Sequence, residues 1–180
     1  DGVTTNRAYL QQIVQVAEFA DGLMTTRSLE TFEATATEVR VVDGGLFTTI
    51  QDLPGRIGYW NVGVPPSGPM DDRSHRLANE LLGNPVDAPA LEVTLLGPTL
   101  EFRSPTSFVV GGADFGTELD GVVVPRWSVL RAEAGSRLVM GQAEGPGMRG
   151  VVAVAGGFAV AEHLGSQSTF VLGGFGGHAG

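Results

Sequence analysis

Neither cysteine nor lysine occurs in the 180 residues, and all eleven cations are arginine. The absence of cysteine excludes disulfides, thiolate metal sites and thiol nucleophiles. The absence of lysine excludes a Schiff base, the phosphate-gripping lysine of a P-loop and any lysine-attached prosthetic group on this chain. Histidine is scarce: His75, His163 and His178 lie far apart, so there is no HxxH-type box and no metal site is expected. No apolar run approaches the roughly 18 residues that span a bilayer. No signal-peptide n-region and h-region opens the chain. Twenty acidic against eleven basic residues leave a net charge of −9. That charge repels phosphate backbones and anionic membranes, and no basic stripe is present for nucleic acid. The expectation is a cytoplasmic protein without nucleic-acid or membrane partners. Its start at Asp1-Gly2-Val3, without Met, reads as a piece of something longer.

What is present supports a packed core, with 42% hydrophobic and 17% charged residues. Leu10, Ile13, Val14 and Ala17 make one apolar stripe, predicting a helix over residues 5–20 that Thr5 or Asn6 caps and Gly22 stops. Residues 31–37 read as a connector. From Glu38 the pattern turns to β: Val39–Val41 and Leu46–Ile50 flank the turn Asp43-Gly44-Gly45. Further strand-like runs follow at Leu91–Leu95, Thr99–Phe102, Ser107–Val110, Trp127–Leu130, Arg137–Met140 and Val151–Val154, with a hairpin at Asp120-Gly121. One more helix is expected after Asp71 or Asp72, with Leu77, Ala78, Leu81 and Leu82 as its buried stripe and Gly83 as its stop.

Between strand and helix lies a Pro- and Gly-rich stretch, residues 52–71, whose Tyr59, Trp60, Val62 and Val64 argue against disorder. A rigid loop ending at a helix N-terminus aims free N–H groups at one spot, where an anion can be held. Arg56 offers a bidentate clamp, Ser67 a hydroxyl and Asp71 a base or acceptor; capping is the simpler role for Asp71. His75 stands one turn beyond Asp71, and its simpler reading is a hydrogen-bonded structural histidine. Asn79 and Glu92 are candidates to face a substrate, and Tyr59 is a further substrate-binding candidate. His163 with Ser166 lacks an aspartate at triad spacing, so a serine hydrolase is not expected. The glycine pairs at 156–157 and 173–177 do not sit in a strand–helix pattern and do not support a dinucleotide fold.

The string DLPGRIGYWNVGVPPSGPMDDRSHRLANELLGN, the following ALEVTLLGPTLEF and the later GGFAVAEHLGSQSTFVLGGFGG resemble the biotin-dependent carboxyltransferase family also called allophanate hydrolase subunit 2. That family includes the carboxyltransferase domain of urea carboxylase and the C-type subunit of 5-oxoprolinase. The opening DGVTTNRAYLQQIVQVAEFADGLMTTRSLE resembles the end of a biotin carboxylase domain, and such a domain running into this carboxyltransferase is the urea carboxylase arrangement.

The resemblance implies a division into a biotin carboxylase tail over residues 1–30, a linker over 31–37 and the first part of a carboxyltransferase domain over 38–180. It also implies a mainly β fold with few helices, one cyclophilin-like β-barrel half of a domain about twice this long. The implied reaction moves a carboxyl group from biotin to urea, giving allophanate. Biotin would sit on a lysine outside this chain, with ATP and Mg at the upstream biotin carboxylase. Asp71 and Arg56 are then the catalytic candidates, and Ser67, Gly68, Asn79, Glu92 and Tyr59 the substrate-binding ones. The alternatives are a protein like the C-type 5-oxoprolinase subunit, a guanidine carboxylase and a noncatalytic module that regulates a kinase.

Overall fold

A computed structural model describes residues 13, 17–25, 28 and 38–177. The chain divides into two compact units, residues 1–36 and 37–180. In the first, helix α1 (Ala17–Ala20) ends at Asp21-Gly22. Gly22 takes φ +69° and its N–H donates to the Phe19 carbonyl at 3.1 Å, so it stops the helix as its sequence position implies. Most of the expected helix over 5–20, and the connector over 31–37, lie outside the described residues.

The second unit is mainly β. Strands β1 (Val39–Asp43), β4 (Thr99–Phe102), β9 (Arg137–Val139), β6 (Glu118–Leu119) and β7 (Val122–Val123) form one sheet in the order β1-β4-β9-β6-β7. Strands β2 (Phe47–Gln51), β3 (Ala90–Thr94), β10 (Arg149–Val154), β5 (Thr106–Gly112) and β8 (Leu130–Ala132) form the other, ordered β2-β3-β10-β5-β8. Every pairing is antiparallel. The turn at Asp43–Gly45 does not close a hairpin: β1 pairs with β4 and β2 with β3, so it carries the chain from one sheet to the other. The Asp120-Gly121 hairpin forms as expected, with both residues at positive φ, the geometry that matches strand twist. The strand expected at Trp127 starts later, at Leu130, because Trp127 itself takes φ +61° in a turn and its ring lies over Gly111.

Alternation along the strands explains the two cores. In β5, Phe108 and Val110 point between the sheets, where they meet Leu100, Phe102, Phe115, Leu138 and Val152. Phe102 and Phe108 lie 5.0 Å apart, ring centre to ring centre. The intervening Val109, with Ala90, Val151 and Ala153, points the other way and packs with Ala78 of helix α2 (Asp72–Leu81) and with its C-cap, Leu82. The second sheet is therefore covered on both faces, which is why its strands read as apolar runs. The helix itself corrects the expected stripe. His75, Ala78 and Asn79 are its buried residues, whereas Leu77 and Leu81 are exposed. Leucine pairs set the stripe expected from sequence, but polar side chains with waiting carbonyl and amide partners won the buried positions.

Candidate functional site

Loop 52–71 is held from several sides. Arg56 is wholly buried: its Nε donates to the His163 carbonyl at 2.8 Å, its Nη2 to the Ser168 carbonyl at 2.7 Å, and it lies 4.9 Å from the Phe175 ring centre. Its Nη1 has no partner among the described residues. The Arg56 N–H bonds the Pro66 carbonyl and so closes the loop on itself. Gly55, at φ +80°, is required there, since a Cβ would sit 2.5 Å from the Pro66 oxygen. Tyr59 opens a 3-10 turn at Trp60–Val62, and its carbonyl accepts from Val62 and Val64.

The loop ends on a polar junction at the start of α2. Asp71 is the N-cap, accepting from the Ser74 N–H at 3.0 Å and the Ser74 hydroxyl at 2.6 Å. Glu92, buried on β3, accepts from the Met70 N–H at 2.7 Å and the Asp71 N–H at 3.3 Å through one oxygen. Its other oxygen pairs with Arg149 Nη1 at 2.9 Å, and the same nitrogen donates to Thr94 Oγ1. Beside this junction opens a cleft of about 490 Å³, whose lining includes Met70, Asp71, Ser74, Trp127, Met148 and Arg149. An acceptor, a hydroxyl and a cation thus share one opening with apolar walls. Such a mixture suits a small planar amide or ureido group.

Of the sequence candidates, Asp71 borders the cleft and Glu92 stands directly behind it. Ser67, at φ +58°, and Gly68 lie in the loop, where the Gly68 N–H donates to Gln51 Oε1 at 2.9 Å. Arg56 and Tyr59 serve the loop's interior. Asn79 is fully buried beneath α2, donating to the Ala88 carbonyl and accepting from Asn84, whose amide also reaches the Val154 carbonyl. His75 is buried with Nε2 2.8 Å from that Ala88 carbonyl, so this nitrogen carries the proton, and Nδ1 has no partner among the described residues. Burial pulls its pKa down, and the Ala88 bond only partly offsets this.

Two residues escaped sequence reasoning. Arg149 lines the cleft and shares the Glu92 carboxylate with the Asp71 N–H, and a single Arg heading an apolar strand gave no spacing signal. Asp52 anchors the later LGSQST turn: its carboxylate accepts from the Ser166 and Ser168 hydroxyls at 2.6 and 2.5 Å and from the Gln167 and Ser168 N–H groups. Burial would raise this carboxyl, but those hydrogen bonds outweigh it and hold the pKa below the usual range. Among the described residues no group of acids and histidines could hold a metal ion, and no helix is long and apolar enough to cross a membrane.

A family model described as the carboxyltransferase domain, subdomain A and B, matches residues 62–180. The chain belongs to that family. It is 41% identical over 179 residues to urea amidolyase of Saccharomyces cerevisiae, a match that takes in 99% of this chain and 10% of that protein. The crystal structure of the Kluyveromyces lactis urea carboxylase superimposes with a TM-score of 0.77 at 39% identity, covering 99% of this chain and 16% of the other. The C-type subunit of 5-oxoprolinase from Escherichia coli is 39% identical over 139 residues, 77% of this chain and 44% of that one. The chain therefore spans about a tenth of the length of the urea amidolyase it matches.

Proposed function

We propose that this chain is part of an ATP- and biotin-dependent urea carboxylase and contributes to the carboxyltransferase that converts urea to allophanate. The observation that carries the reading is the extent of the likeness. Urea amidolyase matches 99% of the chain, including the stretch before residue 38, while the 5-oxoprolinase protein matches 77%. The upstream biotin carboxylase, its ATP and Mg, the carrier domain and a cytoplasmic setting belong to the same proposal.

Biotin, carried on a lysine outside this chain, supplies an activated carboxyl group. The residues at the cleft fit a ureido ring: Met70, Trp127 and Met148 provide apolar walls, Arg149 provides a donor, and the Ser74 hydroxyl, donating to Asp71, holds that carboxylate in place. Asp71 is positioned to accept an N–H of urea, orienting the nitrogen that attacks and drawing off its proton. Glu92 acts as a positioning residue, fixing the Met70 and Asp71 amides. Arg56, Tyr59, Ser67 and Gly68 hold the loop that delivers Asp71, and Asn79 holds the helix beneath it. Keeping water from the cleft matters, because water would consume the activated carboxyl group.

The test is a substrate panel on the full-length protein, following ATP hydrolysis with bicarbonate and urea, guanidine or 5-oxoproline. Urea-dependent turnover abolished by avidin is the expected result. Preference for guanidine keeps the chemistry and changes the substrate. Turnover with 5-oxoproline that ignores avidin overturns the reading.

A further inference from the structure

We propose that Arg149 is the carboxylate-binding residue of the cleft and receives the carboxyl group as it stands on the urea nitrogen after transfer. The inference rests on the carboxyltransferase reading above and adds a residue and a ligand chemistry to it. A guanidinium has two edges that can meet a carboxylate, one formed by both terminal nitrogens and one by Nε with a terminal nitrogen. In Arg149 a single terminal nitrogen, Nη1, meets both Glu92 and Thr94, at 2.9 Å each. Nε and Nη2 make no hydrogen bond to the described residues and are not among the buried unpaired atoms, so the side edge of the fork is open. Arg149 lines the cleft, and its side chain keeps 31% of its exposure. The Glu92 bond fixes the plane of the guanidinium, and rotamer entropy is lost before the ligand arrives.

The surrounding charges do not oppose this. Asp71 lines the cleft and Glu92 holds Arg149, and both are already bonded by N–H groups at the start of α2. Their charge is dispersed into the helix terminus. A third carboxylate placed on Arg149 meets a cation only half neutralised, and it binds weakly enough to leave. That is the behaviour a product site needs.

The probe is malonamate, which copies allophanate with a CH2 in place of the bridging N–H, titrated calorimetrically into the full-length protein without ATP. Malonamide, its neutral diamide, is the control. Arg149→Gln and Arg149→Lys are each expected to weaken malonamate by about tenfold or more and malonamide by much less. Arg149→Lys keeps the charge and the reach to Glu92, so it retains the fold if Gln does not. Competition of malonamate with urea places the carboxylate on the acceptor side, as expected, whereas competition with free biotin and not with urea places it on the donor side and overturns the inference. Malonamate binding that ignores position 149, or equal loss of malonamate and malonamide, overturns the inference. If that occurs while the wild type still turns over urea with avidin sensitivity, only the inference falls. If avidin-sensitive turnover is absent with urea and with guanidine alike, the carboxyltransferase reading falls.

Discussion

At the scale of single residues, the buried polar groups carry the most testable consequences. Arg56 has no acidic partner within ion-pair distance among the described residues, yet it is sealed from solvent and bonded to two carbonyls. Among the described residues, Arg56→Ala leaves the Ser168 carbonyl without a donor and the His163 carbonyl with only the Ser166 N–H at 3.3 Å. An unmet buried acceptor costs about 1–3 kcal/mol, and the packing of the side chain is lost as well. A loss of about 2–4 kcal/mol in guanidinium unfolding is expected, with Arg56→Lys intermediate because one ammonium cannot span both carbonyls. Gly176 guards the same contact. At φ +75° its Cβ would fall 2.8 Å from Arg56 Nη2 and against the Ser168 carbonyl, so Gly176→Ala should destabilise as well. Unchanged unfolding in Arg56→Ala would mean that water replaces the guanidinium, and its anchoring role would be lost.

At the scale of elements, loop 52–71 and helix α2 are one device: the loop's last residue is the helix's cap, and Glu92 from the neighbouring strand ties both. Asp71 therefore carries two roles that one substitution can separate. Asparagine caps about as well as aspartate, whereas alanine costs about 0.5–2 kcal/mol. Asp71→Asn should melt within a few degrees of the wild type and still lose most urea-dependent turnover. Asp71→Ala should lose both. Retention of turnover in Asp71→Asn would leave capping as the residue's whole contribution.

The same elements mark what the sequence made legible. Turn residues and apolar runs announced most strands, since alternation and positive-φ turns are local properties. The loop announced its rigidity through proline and glycine. Two matters were not local. Strand partnering sent β1 and β2 to different sheets, and the helix buried His75 and Asn79 in place of Leu77 and Leu81. The strands were decided by partners far along the chain. The helix face was decided by groups just beyond the helix, the Ala88 carbonyl and Asn84, which periodicity within the helix does not register. Arg149 and Asp52 went unread as the strand partners did, because each acquires its meaning from residues more than fifty positions away.

At the scale of the whole molecule, stability should fall with acid in two stages set by two different groups. His75 has a folded pKa held below its ordinary 6.5 by burial. The unfolded chain therefore binds the extra proton first, and stability declines as pH falls below about 6.5. Asp52 has a folded pKa below its ordinary 3.8. Its contribution is complete above that value and is lost only as pH falls further, through the folded pKa. Between the two ordinary values, 6.5 and 3.8, lies the sequence pI of about 4.7, where net charge vanishes and association is worst. Denaturant titrations at low protein concentration are therefore the suitable measurement. His75→Gln keeps an amide that can meet the Ala88 carbonyl and removes the titrating group, so the decline that begins below about pH 6.5 should flatten while the lower one remains. Asp52→Asn should do the reverse, at a cost of about 1–3 kcal/mol near neutrality for bonds the amide cannot accept. If both variants keep the wild-type profile, the acid response resides in the dispersed surface acids and not in these two buried groups.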